Sequence, residues 1–223
     1  MIAAFLVSER QPAYIHQTIA SMLLSDPRAS SIDVRLHLDA DDSSFLKAYA
    51  HNKKPKVLLA PKEHRAIPHS LNRITLGLSR ALLDARDEEH FIFAEDDIVF
   101  LDGWVSILED AAKFTSGLTQ GSFILSGYSP KLLTGRPIAR VTSARFYGNQ
   151  LLYVPKKVRA ELGNYLSEYV GELPADLLIA RWSVERQVSI FTTVPSVAQH
   201  VGKNTTAGSF WHCSPMWPND DWK

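Results

Sequence analysis

Residues 91–100 read Phe-Ile-Phe-Ala-Glu-Asp-Asp-Ile-Val-Phe, three adjacent acids wedged between two apolar runs. The first run has strand length and stops at once in Glu95-Asp96-Asp97, the pattern of a buried strand whose carboxyl end is charged. The same grammar recurs upstream. Ile2 to Val7 is a continuous apolar run that stops at Ser8-Glu9-Arg10-Gln11-Pro12, where the proline suits a first helical turn. Ile15, Ile19 and Met22 then recur at helical spacing until Asp26-Pro27. Residues 34–38 alternate like a strand, ending in Asp39-Ala40-Asp41-Asp42 with a short helix predicted over 43–50. Residues 56–60 read as a third strand, and Leu71, Ile74, Leu78 and Leu82 mark a longer helix. Repeated strand–helix alternation predicts an α/β fold: a mainly parallel sheet with helices on both faces. Ligands of such sheets bind beyond the carboxyl ends of the strands. The polar clusters at 8–10, 39–42 and 95–97 are therefore expected on one edge.

Downstream, Asp102 is the expected N-cap of a helix carrying Trp104, Leu108 and Ala111. Residues 122–127 and 150–154 read as strands, and Leu162, Tyr165, Leu166 and Tyr169 form a helical stripe after Pro155. Pro174 opens a short helix over 177–182, and 188–194 is a β-branched strand. The stretch from Gly202 to Lys223 has no period but holds Trp211, Trp217 and Trp222. No repeat, low-complexity tract or linker divides the chain, so a single domain over 1–223 is expected.

Lys plus Arg and Asp plus Glu both number 24, so net charge is zero, which argues against a dominant polyanion surface and against a nucleic-acid partner. Cys213 is the only cysteine, which excludes an intrachain disulfide and suits a reducing compartment. The amino terminus lacks a positive n-region, and no apolar run approaches the ~20 residues of a membrane span. A soluble, cytoplasmic protein is the expectation.

Three carboxylates in a row repel one another, and each resists burial unless paired. A divalent cation resolves that conflict, because hard cations take carboxylate and phosphate oxygens together. The plain alternative is a solvated acidic turn with Asp97 near a helix start. The apolar runs on both sides favour a site over a free surface turn.

The string 91–98 resembles the DXD-type motif of GT-A glycosyltransferases, in the E-D-D form of the N-acetylglucosaminyltransferase I and lipopolysaccharide glycosyltransferase type. The resemblance implies a GT-A, Rossmann-like fold with a small mixed subregion on the acceptor side. It implies a nucleotide-binding half (1–100), an acceptor half (101–204) and an irregular tail (205–223). Carried over, Asp97 is a metal ligand for Mn²⁺ or Mg²⁺, with Asp96 and Glu95 toward the ribose and donor sugar. Ser8 and Arg10 match the nucleotide-binding turn after the first strand, and Asp39 the acid that hydrogen-bonds uracil. Arg65, His69 and Asn72 fall in the basic stretch before the third helix, where a solvated helix face is the competing reading. His200-Val201-Gly202 is similar to the HxG element that completes the metal and diphosphate site, imidazole being a fit partner for oxygen ligands.

The activity implied is transfer of a sugar from a UDP-sugar to an acceptor hydroxyl, of a glycan or glycosylated acceptor, with inversion. Inversion needs a base for the acceptor proton. Asp176, beside Pro174, is the expected base with Glu172 in reserve, although helix N-terminal electrostatics alone would also suit Asp176. A catalytically inactive GT-A-like domain that binds a glycan or partner is the alternative. A nucleotidyltransferase would want glycines after the first strand, and a dehydrogenase a G-x-G-x-x-G; residues 8–12 carry neither.

Overall fold

The computed structural model describes residues 1–7, 14–38, 56–59, 70–133, 137–203 and 213–218. The expected helix over 43–50 lies outside them, as do Ser8, Arg10, Asp39, Asp41, Asp42, Arg65, His69, Trp211 and Trp222.

Ten strands and five α-helices follow one another in the described residues: β1 (Ile2–Val7), α1 (Ile15–Ser25), β2 (Asp33–Leu38), β3 (Lys56–Leu59), α2 (Ser70–Asp84), β4 (Phe91–Glu95), β5 (Ile98–Phe100), α3 (Trp104–Thr119), β6 (Phe123–Ser126), β7 (Ile138–Val141), β8 (Leu151–Tyr153), α4 (Lys156–Glu168), α5 (Ala175–Glu185), β9 (Ser189–Thr193) and β10 (Ala198–His200). Eight strands form one sheet in the order β3-β2-β1-β4-β8-β6-β9-β7. The β3-β2-β1-β4 run and the β6-β9 pair are parallel, while β8 and β7 run against their neighbours. This is the α/β, mainly parallel architecture that the alternation implied, with a mixed region around β8 and β7.

The apolar strands read as continuous runs because both faces are covered. One face packs Phe5, Ile92 and Leu125 against Ile15 and Met22 of α1 and Trp104 and Leu108 of α3. The other packs Ala4, Phe93 and Leu152 against Leu78 and Leu82 of α2, Leu162 of α4 and Leu178 and Trp182 of α5. Burial on two faces leaves no polar alternation to write into the sequence.

Register settles the edge. Val7 pairs with Leu38, and Leu6 with both His37 and Glu95, so β1, β2 and β4 end together. A helix following a parallel strand runs back along it, which sets the amino end of α2 at that same edge. The amino end of α5, which precedes β9, lies there for the same reason.

The expected cap at Asp102 is not formed. Gly103 occupies the N-cap of α3 in a left-handed conformation (φ 71°) with no side-chain cap. Asp26, distant in sequence, supplies the acceptor instead: Val105 donates its N–H to Asp26 Oδ2 at 3.1 Å, and Arg28 its N–H to Oδ1 at 2.9 Å. Helix α5 is longer than expected, opening at Ala175 directly after Pro174. Strand β7 was not foreseen. Among the described residues no helix is long and apolar enough to cross a membrane.

Candidate metal centre

The acidic triplet is held from behind by α1. Thr18 sits on the buried stripe with Ile15 and Met22, and its hydroxyl lies 2.7 Å from the carbonyl of Asp96 and 2.8 Å from that of Ile98. The same hydroxyl accepts the Ile98 N–H at 3.2 Å. Ser21 Oγ accepts the Phe100 N–H at 2.8 Å, and the Trp104 indole donates to the Met22 carbonyl at 3.2 Å. Helix α1 therefore satisfies, bond by bond, the backbone of a turn that would otherwise be buried without partners. A threonine on a helix's apolar stripe was the sequence signal for this anchor.

From the front the turn is closed by β10. Strands β5 and β10 pair antiparallel with Ile98 opposite His200, and Val201 donates its N–H to the Asp97 carbonyl at 2.9 Å. That ribbon places His200 Nε2 3.0 Å from Asp97 Oδ2, both side chains buried. Glu95, Asp97 and His200 each present a ligand atom within 4.8 Å of the others. Asp96 is buried as fully as Asp97. The resemblance gave Glu95 to the donor sugar; the geometry sets its carboxylate beside the two expected metal ligands.

Gly202 explains why the histidine is followed by x-Gly. A Cβ at position 202 would clash with Asp97 Oδ2 and lie 2.8 Å from Asp97 Cγ. The glycine is the cradle in which that carboxylate rests. Two carboxylates and an imidazole form a donor set suited to Mn²⁺ or Mg²⁺. The 3.0 Å between Nε2 and Oδ2 equals the spacing of adjacent ligands on an octahedral ion with bonds of about 2.1 Å. The residues present fit such an ion.

The tail is tied to this centre. Gln199 Oε1 accepts the backbone N–H of His200 at 3.1 Å and that of Ser214 at 2.7 Å. The hydroxyls of Ser196 and Ser214 lie 2.7 Å apart. Cys213 thereby comes near Tyr128, whose hydroxyl is held protonated far above its ordinary range, first by burial and then by Cys213, Glu95, Tyr147 and Asp97.

Of the two acids considered as base, the structure separates their surroundings. Asp176, half-buried at the amino end of α5, accepts the N–H of Leu177 at 2.9 Å and the N–H of Gly148. Burial raises its pKa, and those N–H groups oppose the rise. The Tyr147 hydroxyl is raised by burial and then by the carboxylates of both Asp176 and Glu95, so it lies within reach of each charge. Glu172 instead pairs with Arg181 at 2.8 Å on the outer surface, where the guanidinium covers the rings of Tyr165 and Tyr169. Asn72, in the first turn of α2, has its amide nitrogen 3.6 Å from where a Cβ of Gly171 would stand, on the loop before α5. Tyr128, Tyr147 and Gln150 at this edge were missed because nothing in their local sequence marks them; only the sheet brings them here.

The arrangement is an α/β sheet carrying a buried carboxylate–imidazole centre at the carboxyl edge of its parallel strands. No protein-family model matches the chain, and no curated protein matches it.

Proposed function

We propose that this chain is a metal-dependent glycosyltransferase of GT-A type, moving a sugar from a UDP-sugar to an acceptor hydroxyl of a glycan. One observation carries the reading: Glu95, Asp97 and His200 converge, largely buried, at the edge where nucleotides bind in parallel sheets. Glu95, Asp97 and His200 would hold Mn²⁺ or Mg²⁺, and the chemistry an ion supplies there is neutralisation of the charge that builds on a diphosphate leaving group.

The remaining work falls to side chains of the chain. Asp176 accepts the proton of the acceptor hydroxyl as that oxygen attacks the anomeric carbon. Its N–H partners fix the carboxylate in place, and its partial burial makes it a stronger base than an exposed aspartate. Tyr147, near enough to Asp176 and the metal-side Glu95 for both carboxylates to raise its hydroxyl, offers a partly exposed aromatic face to an acceptor sugar. Ser8, Arg10 and Asp39 follow strands that end at this edge and are assigned to the nucleotide on the resemblance alone.

The test is thermal stabilisation by a panel of nucleotides and nucleotide-sugars with and without Mn²⁺. A ligand at a hundred times its Kd adds about 2.7 kcal/mol, which for a chain of this size is about 5–10 °C in Tm. UDP is expected to give that rise only with Mn²⁺, and to give none with Asp97→Ala. Asp176→Asn is expected to keep the rise and lose transfer. Stabilisation by UDP that ignores both the metal and the Asp97 substitution would refute the assignment. A metal-dependent rise accompanied by glycan binding but no turnover would identify the inactive binding domain instead.

A further inference from the structure

Residues 147–150 join the two carboxylates that the proposed reaction uses. At one end the Gly148 N–H donates to Asp176. At the other, Glu95 donates its N–H to the Gln150 carbonyl at 2.9 Å, which extends the Ala94–Leu151 pairing of β4 and β8 by one residue. Residues opposed in an antiparallel pair send their side chains to the same face, with Cβ atoms roughly 5 Å apart. The Gln150 and Glu95 side chains therefore leave the sheet as neighbours on the same face, the one covered by α2, α4 and α5.

Gln150 is only 6 % exposed, and its Oε1 is buried without a hydrogen-bond donor. Asn149 Nδ2, on the preceding residue, is buried without an acceptor. The backbone makes special room for this carboxamide. Gly148 adopts φ 99°, and a Cβ there would clash with Gln150 Oε1 and lie 3.2 Å from its Cδ. A buried amide oxygen without a donor costs stability, whereas methionine would fill a similar volume at no such cost. A group retained against that cost, on a residue paired with Glu95 of the metal centre, has the chemistry to accept a hydrogen bond from a ligand hydroxyl.

We infer that Gln150 is a specificity-determining residue, accepting a hydrogen bond from a ring hydroxyl of the sugar being transferred. The inference rests on the glycosyltransferase reading of this site. A site built to hydrogen-bond a hydroxyl rejects sugars that lack or invert it, because its own buried polar atom is then left unpaired. Gln150 pairs through its backbone with Glu95 of the metal centre, so the inference assigns it to the donor, and Asp176 keeps its assignment to the acceptor.

The experiment uses the full chain with Mn²⁺ and compares wild type with Gln150→Met. Hydrolysis of UDP-glucose, UDP-galactose and their two N-acetylhexosamine counterparts is followed without acceptor, so only the donor is read. Binding of UDP·Mn²⁺ and Tm are measured alongside. The expected result is a drop of about 10- to 100-fold in kcat/KM for the preferred sugar, with its preference over the other three donors shrinking by a similar factor. Affinity for UDP is expected to stay within about twofold, and Tm to hold or rise, since the substitution removes an unpaired buried oxygen. An unchanged ranking with rates within about twofold of wild type would overturn the inference. So would a fall in Tm together with lost UDP binding, which would make Gln150 structural. If wild type itself shows no Mn²⁺-dependent binding of UDP, the glycosyltransferase reading fails first, and that outcome is distinct from either of these.

Discussion

Gly202→Ala is the sharpest probe of the metal centre, because it alters no ligand. Gly202 does not need a left-handed backbone, so alanine brings a single methyl group and no φ strain. That methyl would sit 2.8 Å from Asp97 Cγ and 2.9 Å from Asp97 Cβ, where ordinary carbon contacts begin near 3.5 Å. The carboxylate must therefore retreat by roughly 0.5–1 Å or rotate away, and either movement breaks the 3.0 Å approach to His200 Nε2. Overpacking of this kind costs about 1–3 kcal/mol in a core. Misplacing a carboxylate ligand of this set is expected to weaken Mn²⁺ by about 10- to 100-fold, as loss of a group that orients a ligand does. Calorimetric titration of wild type, Gly202→Ala and Asp97→Ala with Mn²⁺ checks the ordering, and urea unfolding without metal checks the packing cost. Wild-type Mn²⁺ affinity in Gly202→Ala would refute the reasoning, since the three atoms nearest that methyl all belong to Asp97.

Two further outcomes concern the scaffold. His37 is buried in β2 with neither ring nitrogen hydrogen-bonded, and its pKa is lowered to about 3, chiefly by burial and then by Arg80, Arg35 and Lys56. The unfolded chain therefore binds a proton below about pH 6.5 that the folded chain refuses, so stability falls as pH drops from 6.5 toward 3, by about 2 kcal/mol at pH 5. Urea unfolding at pH 7 and pH 5 should show that slope in wild type and lose it in His37→Leu. Arg159 is fully buried, stays charged although burial lowers its pKa to about 10, and donates to the carbonyls of Val154, Ala85 and Glu88. Arg159→Met strips those carbonyls of their donor and is expected to cost about 3 kcal/mol in urea unfolding, with Mn²⁺ binding unchanged in the folded fraction.

How much of this was legible differs element by element. The apolar runs at Ile2–Val7 and Phe91–Glu95 announced themselves, because a strand covered on two faces must be apolar throughout. Helix α2 was legible from Leu71 to Leu82 by its period alone. Strand β7 was not, since Ile138–Val141 is a strand of four residues whose only partner among the described residues is β9. The cap of α3 misled for a different reason. Asp102 has the right residue type in the right place, yet Asp26, directly after α1, takes the Val105 N–H, and local capping rules cannot see a competitor so far away in sequence.

The candidate site divides along the same line. By itself the sequence determined that acids close a buried strand, that a histidine and a glycine follow a later one, and that parallel alternation sends strand ends to a shared edge. Those follow from local composition, because burial and period act on neighbours in the chain. Only the tertiary structure decided that His200 meets Asp97, that Gly202 exists to seat a carboxylate, and that Gln150 stands beside Glu95 while Glu172 turns outward to Arg181. Pairings of that kind are set by strand register and helix packing, which sum contacts over the whole chain and leave no mark on any one segment of it.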